Sequence, residues 1–423
     1  MATKNQKKEI FVFADWSGLA EPTLMGTLNV TPSRGTEVFS FEYSEEWLNS
    51  GYSHYLDPDL GLYSGPQYVK NNKNNFGIFL DSSPDRWGKA LMKKRENLIA
   101  KEEGRLPYTL LESDYLLGVY DGHRMGALRF KTEIDGSFLD DKKKHPAPQW
   151  TTLRELEHAS LELERDDIIG DPDYIKWLNM LISPGSSLGG ARPKASILDP
   201  EKNLWIAKFP SRNDNKDIGG WEMVVHDLAI AAGINMSDAQ IKKFTTKHHT
   251  FLTKRFDRTD KQERIHFASA MTLLGHTDGA DYTTGVSYLD LVGFLIQNGA
   301  KIDDDLLELW KRIVFNICVT NTDDHLRNHG FILTDKGWIL SPAYDINPIE
   351  DGTGLKLNIS EDDNSLDFDL AISVAKYFRI SESDAKNIIG EIKSVVSTWR
   401  DVAHKYGISR GEQDEMASAF RTE

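Results

Sequence analysis

The sequence predicts an α+β protein in two lobes, the first β-rich and the second mainly helical. Three observations carry that expectation. Short apolar runs bounded by turn residues recur up to about residue 256, whereas a helical apolar period takes over from about residue 267. One β-hairpin, 329–334 with 338–340, interrupts the helical half. Two Asp-bearing loops, 321–328 and 341–346, flank that hairpin. The chain accordingly divides into an N-terminal α/β segment 1–145, a segment 146–260 with a glycine-rich loop, and a helical segment 261–423.

Taken in order, Ile10–Asp15 and Val38–Tyr43 read as short strands. Ser82 or Ser83 can cap a helix that has Pro84 in its first turn and runs to about Leu98. Gly126–Phe130 reads as a strand. Residues 135–149, rich in Asp, Lys and Pro, read as a linker. Thr151–Arg165 places Leu153, Leu156 and Leu163 on one helical face. A helix over Pro172–Ile182 leads into the glycine loop 183–193, followed by strands Lys194–Leu198 and Leu204–Phe209. Helix Trp221–Ala232 stops at Gly233. Ile241–Thr245 and Thr250–Phe256 suggest a hairpin. The later helices are expected at Tyr288–Gln297, Asp304–Thr320, Asp369–Tyr377, Glu382–Tyr406 and Gly411–Phe420.

Composition narrows the function classes. At 423 residues the chain can bury a large core and form two or three domains. A net charge of −15 argues against autonomous nucleic-acid binding, which is mostly a cationic term. Cys318 is the only cysteine, which excludes an intrachain disulfide and a cysteine zinc site. No apolar run is long enough to span a bilayer, and the N-terminus lacks a secretory apolar core. These features together predict a cytoplasmic protein with no membrane association.

The chemistry concentrates in Asn321-Thr322-Asp323-Asp324-His325-Leu326-Arg327-Asn328 and Ser341-Pro342-Ala343-Tyr344-Asp345-Ile346. An Asp five residues before an Asn, with a further Asp beyond a hairpin, is the spacing that protein kinases use. There the first Asp accepts the substrate hydroxyl proton, while the Asn and the later Asp hold the metal ions. Asp323 is thus the candidate base, and Asn328 and Asp345 the candidate metal ligands. Two competing readings stand beside it. Asp323, Asp324, His325 and His329 are all ligand types that a metal-dependent hydrolase could use, and Asp and Asn are common in plain loops.

Lys208 sits inside the apolar strand Trp205-Ile206-Ala207-Lys208-Phe209, where a lysine needs a partner. It is the candidate phosphate-contacting lysine, and Glu222 on the next helix is its candidate partner; a solvated edge lysine is the alternative. Gly189 and Gly190 belong to a loop that can bring backbone N–H groups close to phosphates. That loop matches neither the Walker A nor the dinucleotide fingerprint, and an ordinary turn would look the same. Arg255-Phe256-Asp257-Arg258 reads either as a brace for the active-site loop or as surface.

Five motifs in order resemble those of the HipA-like serine/threonine kinases, toxins of bacterial toxin–antitoxin pairs. They are Ser187–Lys194, Ile206–Pro210, Lys254–Arg258, Thr322–Asn328 and Pro342–Ile346, with weaker similarity at Ser83–Gly88 and Gly126–Leu128. The resemblance implies a two-lobed fold like that of protein and phosphoinositide kinases, and the cofactors ATP and Mg²⁺. It implies autophosphorylation at Ser187, a small helix-turn-helix antitoxin partner, DNA contact only through that antitoxin, and a protein substrate such as an aminoacyl-tRNA synthetase. A catalytically silent pseudokinase, working only as a binding module for antitoxin and DNA, is the alternative from another class. The chain departs from some members in carrying Arg192-Pro193 where they have Gln-Glu. It also has Asp324 in place of Gly, which is expected to add negative charge beside the metals.

Overall fold

The computed structural model describes residues 7–52, 54–70, 73–139, 148–165, 173–182 and 192–423. The chain has an α+β fold that groups into two compact units, each assembled from two chain segments. One comprises Met1–Arg212 with Arg255–Ala268, and the other Asn213–Lys254 with Ser269–Glu423.

The first unit is built on a five-stranded antiparallel sheet. Its order is Gln67–Tyr68, Thr36–Tyr43, Thr23–Ser33, Lys8–Ala14, Leu128–Lys131. Residues two apart share a face of a strand. Ile10 and Val12, Leu28 and Val30, and Phe39 and Phe41 are buried on that rule. Phe79 meets Phe41 at a ring-centroid distance of 5.5 Å and Phe130 at 6.0 Å, which closes the core over the sheet. The strand Thr23–Ser33 is absent from the sequence expectations because Gly26 and Pro32 interrupt its pattern. The structure explains the glycine: a Cβ at Gly26 would lie 2.2 Å from the Glu42 carbonyl oxygen, so the neighbouring strand leaves no room for a side chain.

The expected helix cap also moves. The helix is Arg86–Glu102, and Asp85 caps it by accepting from the Gly88 amide at 2.8 Å. Ser82 and Ser83 cannot serve, because their hydroxyls turn back to the Ile78 and Phe79 carbonyls. Helices Leu153–Leu163 and Tyr174–Ile182 follow, then the antiparallel hairpin of Lys194–Leu198 and Leu204–Lys208 with Lys194 opposite Lys208.

The second unit holds helix Ile218–Ala231, the hairpin of Ala239–Lys242 and Thr250–Lys254, and the helices after residue 287. The hairpin of Gly330–Thr334 and Gly337–Leu340 lies where the sequence predicts one. The single helix expected over Glu382–Tyr406 is two, Glu382–Val396 and Trp399–Lys405. At the break, Ser397 and Thr398 hydroxyls donate to the Ser394 and Val395 carbonyls, the local bonding that competes with a continuing helix. Among the described residues no helix is long and apolar enough to cross a membrane.

Candidate active site

Helix Ile302–Cys318 is the platform of the second unit. Its centre is apolar and fully buried at Leu309, Trp310, Ile313, Val314 and Ile317, yet Arg312 and Asn316 are buried with them. Positions four apart lie on one helical face, and these two polar groups hold the two acidic loops. Arg312 donates to the Ser341 carbonyl at 2.8 Å, just ahead of Asp345. Asn316 donates to Asp324.

The first loop leaves the helix through Thr320, which has a left-handed φ of 50°. Backbone bonds then tighten it: His325 N–H to the Asp323 carbonyl and Asn328 N–H to the His325 carbonyl, both 2.8 Å. Asn328 Nδ2 donates to the Asp323 carbonyl at 3.1 Å, which closes the five-residue spacing read from the sequence. Asp323 itself is exposed, so a substrate hydroxyl can reach its carboxylate.

Asp345 also has a left-handed φ, 58°. A non-glycine residue there costs about 1–3 kcal/mol and persists only where its surroundings impose it. Those surroundings are visible on both sides of it: Tyr344 Oη donates to the Arg327 carbonyl at 2.7 Å, and Asn347 Nδ2 to Asp345 Oδ1 at 3.4 Å. Tyr344 therefore ties the Asp345 loop to the residue next to Asn328. Burial and the Arg327 charge push the His325 pKa down, against the opposing pull of Asp323 and Asp345. The structure thus joins Asn328 to the Asp323 carbonyl and ties the Asp345 loop to the same turn through Tyr344.

A metal suits this group. Asn328 Oδ1 is buried with no hydrogen-bond partner among the described residues, an acceptor on the loop that also carries Asp323. Oxygen donors of this kind suit Mg²⁺, which takes one or two protein carboxylates together with substrate phosphates. The hydrolase reading loses its ligands instead. Asp324 and His329 are buried and bonded to each other, turned away from the exposed Asp323. That orientation corrects the expectation that Asp324 adds charge beside the metals. Its carboxylate faces the interior and accepts from Tyr288, Asn316 and His329. Sequence reasoning missed Tyr288 and Asn316 altogether. The one available signal was a polar residue in the run Val314-Phe315-Asn316-Ile317-Cys318.

The remaining candidates are distributed over both units. Lys208 ends its strand in the first unit and is buried, as the apolar run around it requires. Glu222 is buried on helix Ile218–Ala231 in the second unit. Ser187, Gly189 and Gly190 lie outside the described residues. Asp257 is neither surface nor a brace of the acidic loops. It is fully buried in the first unit, where Arg255, Arg258 and the Gly126 amide bond to it.

Comparison with known proteins identifies the family and the fold. The profile of the HipA-like C-terminal domain matches residues 186–399, just over half of the 423-residue chain. The serine/threonine-protein kinase toxin HipA of Shewanella oneidensis is 24% identical over 342 residues, covering 74% of this chain and 71% of that one. Y4mE of Sinorhizobium fredii is 28% identical over 148 residues, a match that spans only 33% of either chain. Among solved structures, Shewanella oneidensis HipA, in a complex with HipB and its operator DNA, aligns with a TM-score of 0.62 at 16% identity. That alignment covers 97% of this chain and 94% of the other, and it shows a shared fold.

Proposed function

The chain belongs to the HipA-like family, and from that premise we propose that it is an ATP- and Mg²⁺-dependent serine/threonine protein kinase, the toxin of a toxin–antitoxin pair. The observation that carries the reading is the closed Asp323–Asn328 loop with Asp345 tied beside it through Tyr344. Asp323 accepts the proton of the attacking hydroxyl. Asn328 and Asp345 hold Mg²⁺, which when bound neutralises charge on the phosphates. Within residues 146–260 the proposed phosphate-site groups are Lys208, Glu222 and the backbone of Gly189 and Gly190. Residues 261–423 supply the base and the metal-holding groups.

The substrate is a bacterial protein, with an aminoacyl-tRNA synthetase as the first candidate. The partner is a small helix-turn-helix antitoxin through which alone the chain would meet DNA; the Shewanella relative forms a complex with HipB and operator DNA. The setting is the cytoplasm.

Transfer of γ-phosphate by the purified chain is the test, measured as autophosphorylation with Mg²⁺ and ATP. Asp323→Ala and Asp345→Ala should each lower it by about 10²–10³-fold, the size of one lost electrostatic contact at a reacting centre. Variants as active as the parent would reject the assignment, and a parent that binds ATP without transfer would be a pseudokinase. Lys208→Ala should weaken ATP binding in titration calorimetry, and Lys208→Arg should not restore it fully. Ser187 is the proposed autophosphorylation site. Phosphate there adds about −1.5 to −2 charge and competes with ATP for the same N–H donors. Mass spectrometry that finds phosphate only outside residues 183–187 would remove this part of the proposal.

A further inference from the structure

We propose that Asp324 is a positioning residue. With His329 it forms a second cross-link of the catalytic loop, one residue behind the Asp323–Asn328 pair, and Tyr288 and Asn316 anchor that cross-link to the helical core. The proposal rests on the reading of Asp323 as the base.

The spacing repeats. Asp323 and Asn328 are five residues apart, and so are Asp324 and His329. The outer pair joins through Asn328 Nδ2 and the Asp323 carbonyl at 3.1 Å. The inner pair joins through His329 Nε2 and Asp324 Oδ2 at 2.9 Å. Asp323 is exposed, while Asp324 and His329 are 3% and 2% exposed. One turn of chain is therefore tied at both faces, and the residue that follows each functional group carries the inner tie.

Two helices hold the inner tie in place. Tyr288, at the start of helix Tyr288–Asn298, donates its hydroxyl to the same Asp324 oxygen at 2.5 Å. Asn316 donates its amide at 2.7 Å and accepts from Asn321 Nδ2 at 3.1 Å, at the loop entrance. All four side chains are buried. Hydrogen bonds to a buried carboxylate are strong, and a partly made network is costly, so this arrangement has one low-energy geometry. His329 Nδ1 has no hydrogen-bond partner among the described residues, so the bond of Nε2 to Asp324 is the one that orients the ring. The consequence falls on the base: if Asp324 shifts, Asp323 shifts with it. A misplacement of about 1 Å can cost about 10²-fold in rate without weakening ground-state binding.

The experiment compares the full-length chain with Tyr288→Phe and Asp324→Asn, both close in shape to the original residues. Four quantities are read: kcat and KM for Mg²⁺-ATP consumption, the thermal midpoint, and amide hydrogen exchange at His325 and Asn328. Tyr288→Phe should lower kcat about 10-fold and Asp324→Asn about 10²-fold, with KM unchanged and with faster exchange at both amides. A fold-only role predicts a lower midpoint with kcat intact well below it. Unchanged kcat, or unchanged exchange at His325 and Asn328, overturns the proposal. Should the parent chain consume no ATP, the kinase reading fails, and the exchange rates still decide whether the cross-link holds the loop.

Discussion

Asp257 and Asp324 are both buried carboxylates, and the two units hold them in opposite ways. Asp257 is gripped by cations: Arg255 reaches its two oxygens at 2.8 and 2.6 Å, Arg258 reaches one at 2.6 Å, and the Gly126 amide adds a fourth bond at 2.8 Å. The same arginines donate onward to the His123 and Arg124 carbonyls, so the carboxylate fastens the 255–258 segment onto residues 123–126. Among the described residues no arginine or lysine bonds to Asp324. A phenol, an amide and an imidazole donate to one of its oxygens. Burial raises both acids, but the arginine charges outweigh it at Asp257, and His329 and Tyr288 outweigh it at Asp324, leaving both below the usual carboxylate range. The Arg255 fork clamps both Asp257 oxygens in a fixed geometry, whereas three donors from different elements converge on one Asp324 oxygen, directly behind Asp323.

The contrast can be broken by deletion. Asp257→Ala should have the larger effect on stability, about 3–5 kcal/mol, because it strands buried arginines without a counter-charge. A shift of the urea midpoint measures it. Asp324→Ala leaves the Tyr288, Asn316 and His329 donors unsatisfied and should cost about 1–3 kcal/mol. Equal losses for the two variants would end the distinction between the two sites.

A pH series sharpens the same comparison. Asp257 and Asp324 have folded-state pKa values below the 3.8 of the free acid. Their contribution is complete above that value and declines only as pH falls further, toward the folded-state values. Asp57 has the opposite sign: burial raises it to about 6, ahead of the lowering by the Asp59 amide and Lys73. Between about pH 6 and 4 the folded chain therefore holds a proton that the unfolded chain does not, so stability rises as pH falls through that window. Asp57→Asn should remove about 1–3 kcal/mol of that rise, seen as a flatter dependence of the thermal midpoint on pH. An unaltered slope would show that Asp57 is not the group responsible. Like the Asp324→Ala loss, this effect is smaller than the one expected for Asp257→Ala.

Much of this was legible in the chain itself. The hairpin, the buried strand lysine and the Asp323–Asn328 spacing are local, within stretches of a dozen residues or fewer, where covalent geometry leaves few conformations. Thr23–Ser33 was not legible, because the reason for Gly26 lies in the approach of Glu42 on another strand. The helix cap was misread among Ser82, Ser83 and Asp85 for a related reason. All three can cap, and only the path of the preceding turn decides whose oxygen faces the amides.

The adjacent pair Asp323-Asp324 marks the division most clearly. The sequence by itself determined that two carboxylates stand at the head of a five-residue loop, one of them at the kinase spacing from Asn328. Which carboxylate faces solvent and which faces the core was decided by the tertiary structure. The donors that draw Asp324 inward come from helices 36 and 8 residues away along the chain. A buried charge settles where its hydrogen bonds are satisfied, and those partners exist only once the helices have packed.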